Sequence, residues 1–121
     1  MQASSHTDVT ELSAEGLNRL RTVLVKESQA QAAQCRQHAA TVRLLRGLTD
    51  ADGVLERELA EVGEARAREA IAEVEHALRR LEDGEYGLCE ACGAPVPFER
   101  LEAVPSARFC VRCPGRRPGW R

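Results

Sequence analysis

The 121-residue sequence predicts a mainly α-helical protein, in which a long antiparallel helical hairpin (a coiled coil) is followed by a small cysteine-rich module. Three observations predict this fold class. Two long stretches lack proline and carry apolar residues three and four positions apart, as paired helices do. A third stretch, near the C-terminus, holds four of the five cysteines. Aromatic residues make up only 3% of the chain, which favours narrow helical seams over a large globular core.

Residues 1–12 are polar and show no apolar period, so they are predicted to form a flexible N-terminal tail. They lack the apolar core of a secretory signal, which favours a cytoplasmic protein. No apolar run approaches the length of a membrane span. The net charge of −2 argues against the chain as a whole being an electrostatic clamp for nucleic acid.

The hairpin is predicted to occupy residues 13–84. Ser13 is the expected N-cap of the first helix, which runs to about Arg46. The second helix is expected from Val54 to about Asp83, with Asp50 or Asp52 as its candidate N-cap and Gly84 as its C-terminal cap. The predicted seam of the first helix consists of Leu17, Leu20, Leu24, Ser28, Gln31, Cys35, His38, Val42 and Leu45. That of the second consists of Leu55, Leu59, Val62, Ala67, Ile71, Val74, Leu78 and Leu81.

The step of five residues from Val62 to Ala67 interrupts strict heptads and predicts a local change of supercoil near Gly63. Charge favours pairing the two helices with each other. Residues 14–46 carry six basic and two acidic side chains, whereas residues 54–85 carry ten acidic and five basic ones. Opposite signs on neighbouring helices favour the hairpin over pairing of either helix with its own copy.

The four clustered cysteines form two Cys-x-x-Cys pairs, Cys89 with Cys92 and Cys110 with Cys113, separated by 17 residues. This spacing is typical of a zinc site, in which two tight turns aim four thiolates at one tetrahedral ion. Gly93 suits the turn after the first pair. Residues 85–113 are therefore predicted to be a four-cysteine zinc finger with one structural Zn²⁺, since four protein ligands leave no open position for water.

Disulfides or a thioredoxin-like redox pair are the alternatives for these cysteines. The first needs an oxidising compartment, and the second needs a βαβ pattern that is absent around either pair. The three histidines (His6, His38, His76) are scattered and form no catalytic arrangement, so a non-enzymatic protein with no small-molecule substrate is expected.

A longer pattern resembles the DksA/TraR C4 zinc-finger family. It reads Leu81-Glu82-Asp83-Gly84-x-Tyr86-Gly87-x-Cys89-x-x-Cys92-Gly93, then Pro97-x-x-Arg100-Leu101-Glu102-Ala103-x-Pro105 and Cys110-x-x-Cys113. The resemblance implies a regulator that binds bacterial RNA polymerase. It also implies that the tip of the coiled coil, here residues 47–53, enters the secondary channel near the catalytic magnesium and alters initiation without reading DNA sequence.

The tip departs from the Asp-x-x-Asp-x-Ala motif that the resemblance implies. Ungapped counting from Cys89 places Arg46, Thr49 and Ala51 there. An acidic tip is nevertheless kept, so Asp50 and Asp52 are the candidate partner-binding residues.

The basic residues that the resemblance implies for a ppGpp site are replaced by Val104 and Pro114, which predicts that ppGpp is not bound.

A polymerase-binding transcription regulator is thus the leading hypothesis. A zinc-stapled nucleic-acid-binding protein is a second one, because arginine contacts phosphate and tryptophan stacks on bases. Its candidate residues lie in the basic C-terminal tail, residues 114–121: Arg116, Arg117, Trp120 and Arg121. A structural adaptor without secondary-channel activity is the third.

Overall fold

The computed structural model describes residues 13–113 and contains helices α1 (Ala14–Leu44), α2 (Ala51–Asp83) and α3 (Phe98–Ala103). Within this range the extended structure is limited to an isolated bridge between Leu88 and Pro95. The predicted class, a helical hairpin followed by a cysteine module, is confirmed. Neither long helix is apolar enough over a sufficient length to cross a membrane. Both predicted tails lie outside the described residues, and with them Arg116, Arg117, Trp120 and Arg121.

Both long helices begin at a side-chain cap. The Oγ of Ser13 accepts a hydrogen bond from the backbone N–H of Gly16 at 3.0 Å, as predicted. A carboxylate oxygen of Asp50 accepts one from the N–H of Gly53 at 3.1 Å. Each cap satisfies a backbone donor that has no partner inside the helix.

Because Asp50 caps α2, the helix begins at Ala51 and not near Val54 as expected. The expectation treated Gly53 as the end of the turn. It lies instead in the first turn of α2, where an added Cβ would come within 2.8 Å of the Leu48 side chain. The segment between the helices is therefore residues 45–50.

The predicted glycine cap at the end of α2 is confirmed. Gly84 has a φ of 76°, a left-handed conformation that suits glycine. The N–H of Glu85 donates to the carbonyl of Arg80 at 2.9 Å, and the N–H of Gly84 donates to that of Leu81 at 3.3 Å. These two bonds are those of a Schellman motif.

The chain divides into two compact units. The first, called the finger unit, contains the described residues 13–24 and 74–113. The cysteine module therefore shares a core with the start of α1 and the end of α2. Leu24 and Leu101 are the largest fully buried side chains of that core. Its buried members are Leu20, Leu24, Val74, Ala77, Tyr86, Cys89, Val96, Leu101 and Cys110.

The second, called the hairpin unit, is Val25–Glu73. The predicted α1 seam is confirmed here, because Ser28, Gln31, Cys35, His38, Val42 and Leu45 are all half-buried. The predicted α2 seam is wrong in its first half.

The large residues Leu55, Leu59 and Val62 are exposed, at 56%, 62% and 49%. Small residues, Gly53, Ala60 and Ala67, are buried in their place.

Size explains this reversal. The half-buried α1 positions include bulky polar side chains, which need small residues opposite them. His38 shows this directly, since a Cβ added at Gly63 would lie 2.6 Å from its ring. The buried α2 positions 53, 60 and 67 keep an unbroken interval of seven. The change of supercoil predicted near Gly63 rested on Val62 lying in the seam, and Val62 is exposed. Gly63 has a simpler role, because its missing side chain leaves space for the imidazole of His38.

Candidate metal centre

The four predicted ligands come together in the finger unit. The Sγ atoms of Cys89, Cys92, Cys110 and Cys113 all lie within 4.8 Å of one another. The Sγ atoms of Cys92 and Cys110 are 3.6 Å apart, far longer than the ~2.05 Å of a disulfide. Four sulfurs about 2.3 Å from a tetrahedral zinc ion would be about 3.8 Å apart. The arrangement therefore fits a zinc ion and not a pair of disulfides.

Local backbone geometry aims the first pair of sulfurs. Gly93 has a φ of 79°, as its position after the pair predicted, and its N–H donates to the carbonyl of Cys89 at 2.9 Å. The N–H of Cys89 donates in turn to the carbonyl of Ala94 at 2.8 Å. The N–H of Ala91 points at the Cys89 Sγ, 3.4 Å away. This turn holds a thiolate and supplies it with a backbone donor.

The second pair is held by a similar turn, in which the N–H of Cys113 donates to the carbonyl of Cys110 at 3.2 Å. A bond between the N–H of Glu90 and the carbonyl of Arg108, at 2.8 Å, ties the two turns together. Cys89 and Cys110 are buried, Cys113 is half-buried and Cys92 is exposed. The site thus lies at the edge of the core, with one ligand facing outward.

The electrostatics of the cluster favour a bound cation. Burial alone would raise the pKa of Cys89, but hydrogen bonds from the backbones of Cys110, Cys92 and Ala91 lower this pKa to about 6. Burial and the neighbouring cysteine side chains raise the pKa of Cys113 to about 12. Cys113 therefore resists ionisation beside the other cysteines, whereas the backbone donors favour a thiolate at Cys89. A divalent cation between the four sulfurs removes that resistance, because metal-bound thiols are deprotonated outright.

A polar cluster beside the metal centre links three segments of the finger unit through Glu90. Arg108 donates to one carboxylate oxygen through Nε at 3.1 Å and Nη2 at 3.0 Å. His76 of α2 pairs with the other oxygen through Nε2, and the Arg80 Nε is 3.6 Å from it. Burial would raise the pKa of Glu90, but Arg108 and His76 hold this pKa below its usual value. Glu90 therefore anchors the first cysteine turn to α2.

Sequence reasoning missed this anchor. Its partners lie 14 and 18 residues away along the chain, so no local spacing marks it. The only available signal was a carboxylate inside a Cys-x-x-Cys turn with a histidine on the preceding helix.

Replacing Glu90 by glutamine is expected to lower the free energy of unfolding of the metal-loaded protein by about 1–3 kcal/mol, the range for hydrogen bonds to charged groups. Glutamine keeps the size of the side chain but not its charge. Glu85→Gln is the matched control, because Glu85 is exposed and its Oε1 makes only a long contact, 3.6 Å, with Nη1 of Arg80. A long ion pair with one solvent-exposed partner contributes about 1 kcal/mol or less. Urea unfolding followed by circular dichroism measures both, and equal losses would contradict the anchoring role.

Tyr86 supports the same module from the other side. Its hydroxyl donates to the carbonyl of Pro105 at 2.7 Å, and burial raises the pKa of Tyr86 to about 12. The phenol therefore stays protonated and keeps donating this bond at neutral pH.

The remaining predicted residues lie in the hairpin unit. Asp50 caps α2, and Asp52 is exposed in its first turn. Cys35 is half-buried in the seam, with its Sγ 4.0 Å from the carbonyl of Glu64.

The cysteine module is similar in sequence to known proteins. Residues 84–118 match the family described as prokaryotic dksA/traR C4-type zinc finger. The finger belongs to this family. The dksA/traR finger also aligns with curated proteins. Identity is 54% over 44 residues with general stress protein 16O of Bacillus subtilis, covering 36% of this chain and 27% of that protein.

Two other relatives carry the name RNA polymerase-binding transcription factor DksA. The protein of Caulobacter vibrioides is 47% identical over 51 residues, which cover 42% of this chain and 36% of that protein. The protein of Escherichia coli is 42% identical over 48 residues, which cover 40% and 32%. The chain thus spans about a third or less of the length of these curated relatives.

Likeness in three dimensions extends beyond the dksA/traR finger. The structure of transcription factor DksA2 from Pseudomonas aeruginosa matches with a TM-score of 0.77 over 85% of this chain and 83% of that one. Sequence identity in that comparison is 23%. The two proteins therefore share a fold.

Proposed function

We propose that this chain is a DksA/TraR-like transcription regulator that acts in the cytoplasm by binding bacterial RNA polymerase. One observation carries the proposal: the segment that forms the metal centre is 42–47% identical to that of proteins named for binding this polymerase. A fold shared with DksA2 along 85% of the chain supports it.

Zinc has a structural role in this proposal. Cys89, Cys92, Cys110 and Cys113 bind one Zn²⁺, and four thiolates close its coordination sphere. No position is left for a substrate or an activated water. The ion holds the two cysteine turns together and so completes the core that they share with α1 and α2.

Polymerase binding is tested directly with the full chain, loaded with zinc, and purified bacterial core polymerase. We expect a complex that survives size-exclusion chromatography or gives saturable binding by fluorescence anisotropy. A chain that is folded and zinc-loaded yet shows no binding at micromolar polymerase would remove the proposed function. Salt-sensitive binding to nucleic acid in its place would support the second hypothesis raised by the sequence.

The finer part of the proposal concerns the segment between the helices. The hairpin tip points toward the secondary channel of the polymerase, and the carboxylates of Asp50 and Asp52 act near its catalytic magnesium, which favours oxygen ligands. Asp50 already accepts a hydrogen bond from the backbone of α2, so its charge and its capping role must be separated by experiment.

Changing both aspartates to asparagine removes the charge but keeps the capping role, because asparagine caps a helix about as well as aspartate. We expect the double variant, Asp50→Asn with Asp52→Asn, to keep its fold and its affinity for polymerase and to lose most of its effect on initiation. An in vitro transcription assay at matched occupancy measures this. If the effect is unchanged, the two carboxylates have no part in the mechanism and the hairpin is only a docking arm.

A further inference from the structure

The first half of α2 has two apolar faces, and their sizes are inverted. The small residues face α1, whereas Leu55, Leu59 and Val62 point outward. At 100° per residue the two faces are about 135° apart, so one partner helix cannot cover both. These three residues are named the outer α2 stripe.

The stripe has the form of a contact surface. Its members stand at positions i, i+4 and i+7, so they lie one above another along the helix. A single exposed leucine is ordinary on a protein surface, but a row of three at this spacing is the pattern by which helices dock on a partner. The hairpin does not need it, because the small residues already fill the seam with α1. The stripe is therefore available to another molecule.

Charge around the stripe indicates the chemistry of that molecule. Carboxylates border both long sides: Glu56 on one side and Glu58 on the other, both exposed. Arg66 stands at one end of the row. A surface that is apolar in the middle and basic at its margins complements this pattern. A second copy of the same face does not, since its carboxylates would meet carboxylates.

We propose that the outer α2 stripe is a docking surface for an apolar helical region of RNA polymerase that is bordered by lysine and arginine side chains. This inference rests on the polymerase binding proposed above and assigns part of it to Leu55, Leu59 and Val62. It involves neither the aspartates of the tip nor the metal centre. The stripe supplies affinity through buried apolar area, and the carboxylates around it set the orientation of the hairpin.

The test compares the affinity of purified core polymerase for matched variants of the full, zinc-loaded chain. Leu59→Gln is the central variant, and the triple change to glutamine at 55, 59 and 62 removes the whole stripe. Val25→Gln is the control, because Val25 is also apolar and exposed (39%) in the hairpin unit but lies on α1. We expect a loss of at least about fivefold for Leu59→Gln and on the order of 100-fold for the triple variant, as for central interface residues. The control should change affinity by about twofold or less.

The salt dependence of binding is an independent test of the carboxylates beside the stripe. Replacing Glu56 and Glu58 by glutamine should weaken binding at low salt and flatten its dependence on salt concentration, since exposed charges are screened by ions. The stripe residues are exposed, so helical circular dichroism and zinc content should match the wild type. Should the triple variant lose helicity, the Leu59→Gln and Val25→Gln pair decides the question by itself.

Each outcome has one meaning. A wild-type chain that does not bind polymerase removes the proposed function and this inference together. Wild-type binding that the stripe variants retain in full overturns the inference alone. If sedimentation shows a dimer that Leu59→Gln converts to a monomer, while affinity for polymerase is unchanged, the stripe joins two copies of the chain and the inference is wrong.

Discussion

Replacing Cys110 by serine is expected to release the metal and unfold residues 85–113. Cys110 is buried in the core of the finger unit, and the other three cysteines cannot complete a tetrahedral site. Structural zinc contributes roughly 10–16 kcal/mol of apparent binding free energy in small modules, which is also folding free energy. A module with so few core residues has no comparable apolar contribution to replace it.

Elemental analysis and circular dichroism check this result on protein purified under reducing conditions without chelator. Cys35→Ser is the control, because Cys35 is a half-buried cysteine of the hairpin unit and stands outside the metal cluster. It should retain one zinc ion per chain. A wild-type protein without zinc, or a Cys110→Ser protein with full zinc and an intact finger, would contradict the metal site. In a protein without zinc or without Cys110, the hairpin unit should still be helical.

The second large effect is expected at Leu101, which lies on α3 and is fully buried. Leu101→Ala leaves a cavity among the helix ends and the cysteine turns, and such changes cost about 2–5 kcal/mol. Val104→Ala is the matched control, since Val104 follows α3 directly but is exposed. Its cost should be about 0.5 kcal/mol or less. Urea unfolding of the zinc-loaded proteins measures both, and similar midpoints would mean that α3 is not part of the shared core.

Local patterns in the sequence were sufficient for the features that depend on near neighbours. Ser13 and Gly84 cap their helices as predicted, because a cap involves only the adjacent turn. Gly93 and the two Cys-x-x-Cys pairs likewise specify their own turns. The same reasoning failed at Gly53, where the cap made by Asp50 outweighs the usual tendency of glycine to end a helix.

Features that depend on size or on distant partners were not predictable in this way. Periodicity marks the apolar positions of α2, but it does not say which of two apolar faces meets α1. The bulk of side chains such as His38 decides that, and it turns Leu55 and Leu59 outward. The charge cluster at Glu90 is hidden for a different reason, since its members come from separate segments of the chain.

The division of the chain into two units has a consequence for synthesis on the ribosome. The hairpin unit is one continuous segment, Val25–Glu73, and all its contacts can form once that segment has emerged. The finger unit joins the start of α1 to residues that are translated some fifty positions later, from Val74 onward. The core around Leu20 and Leu24 therefore stays incomplete until Cys113 is made and the metal site closes. Translation that halts before that point leaves an apolar N-terminal segment open to proteases and chaperones, so zinc supply and complete synthesis jointly determine how much folded protein accumulates.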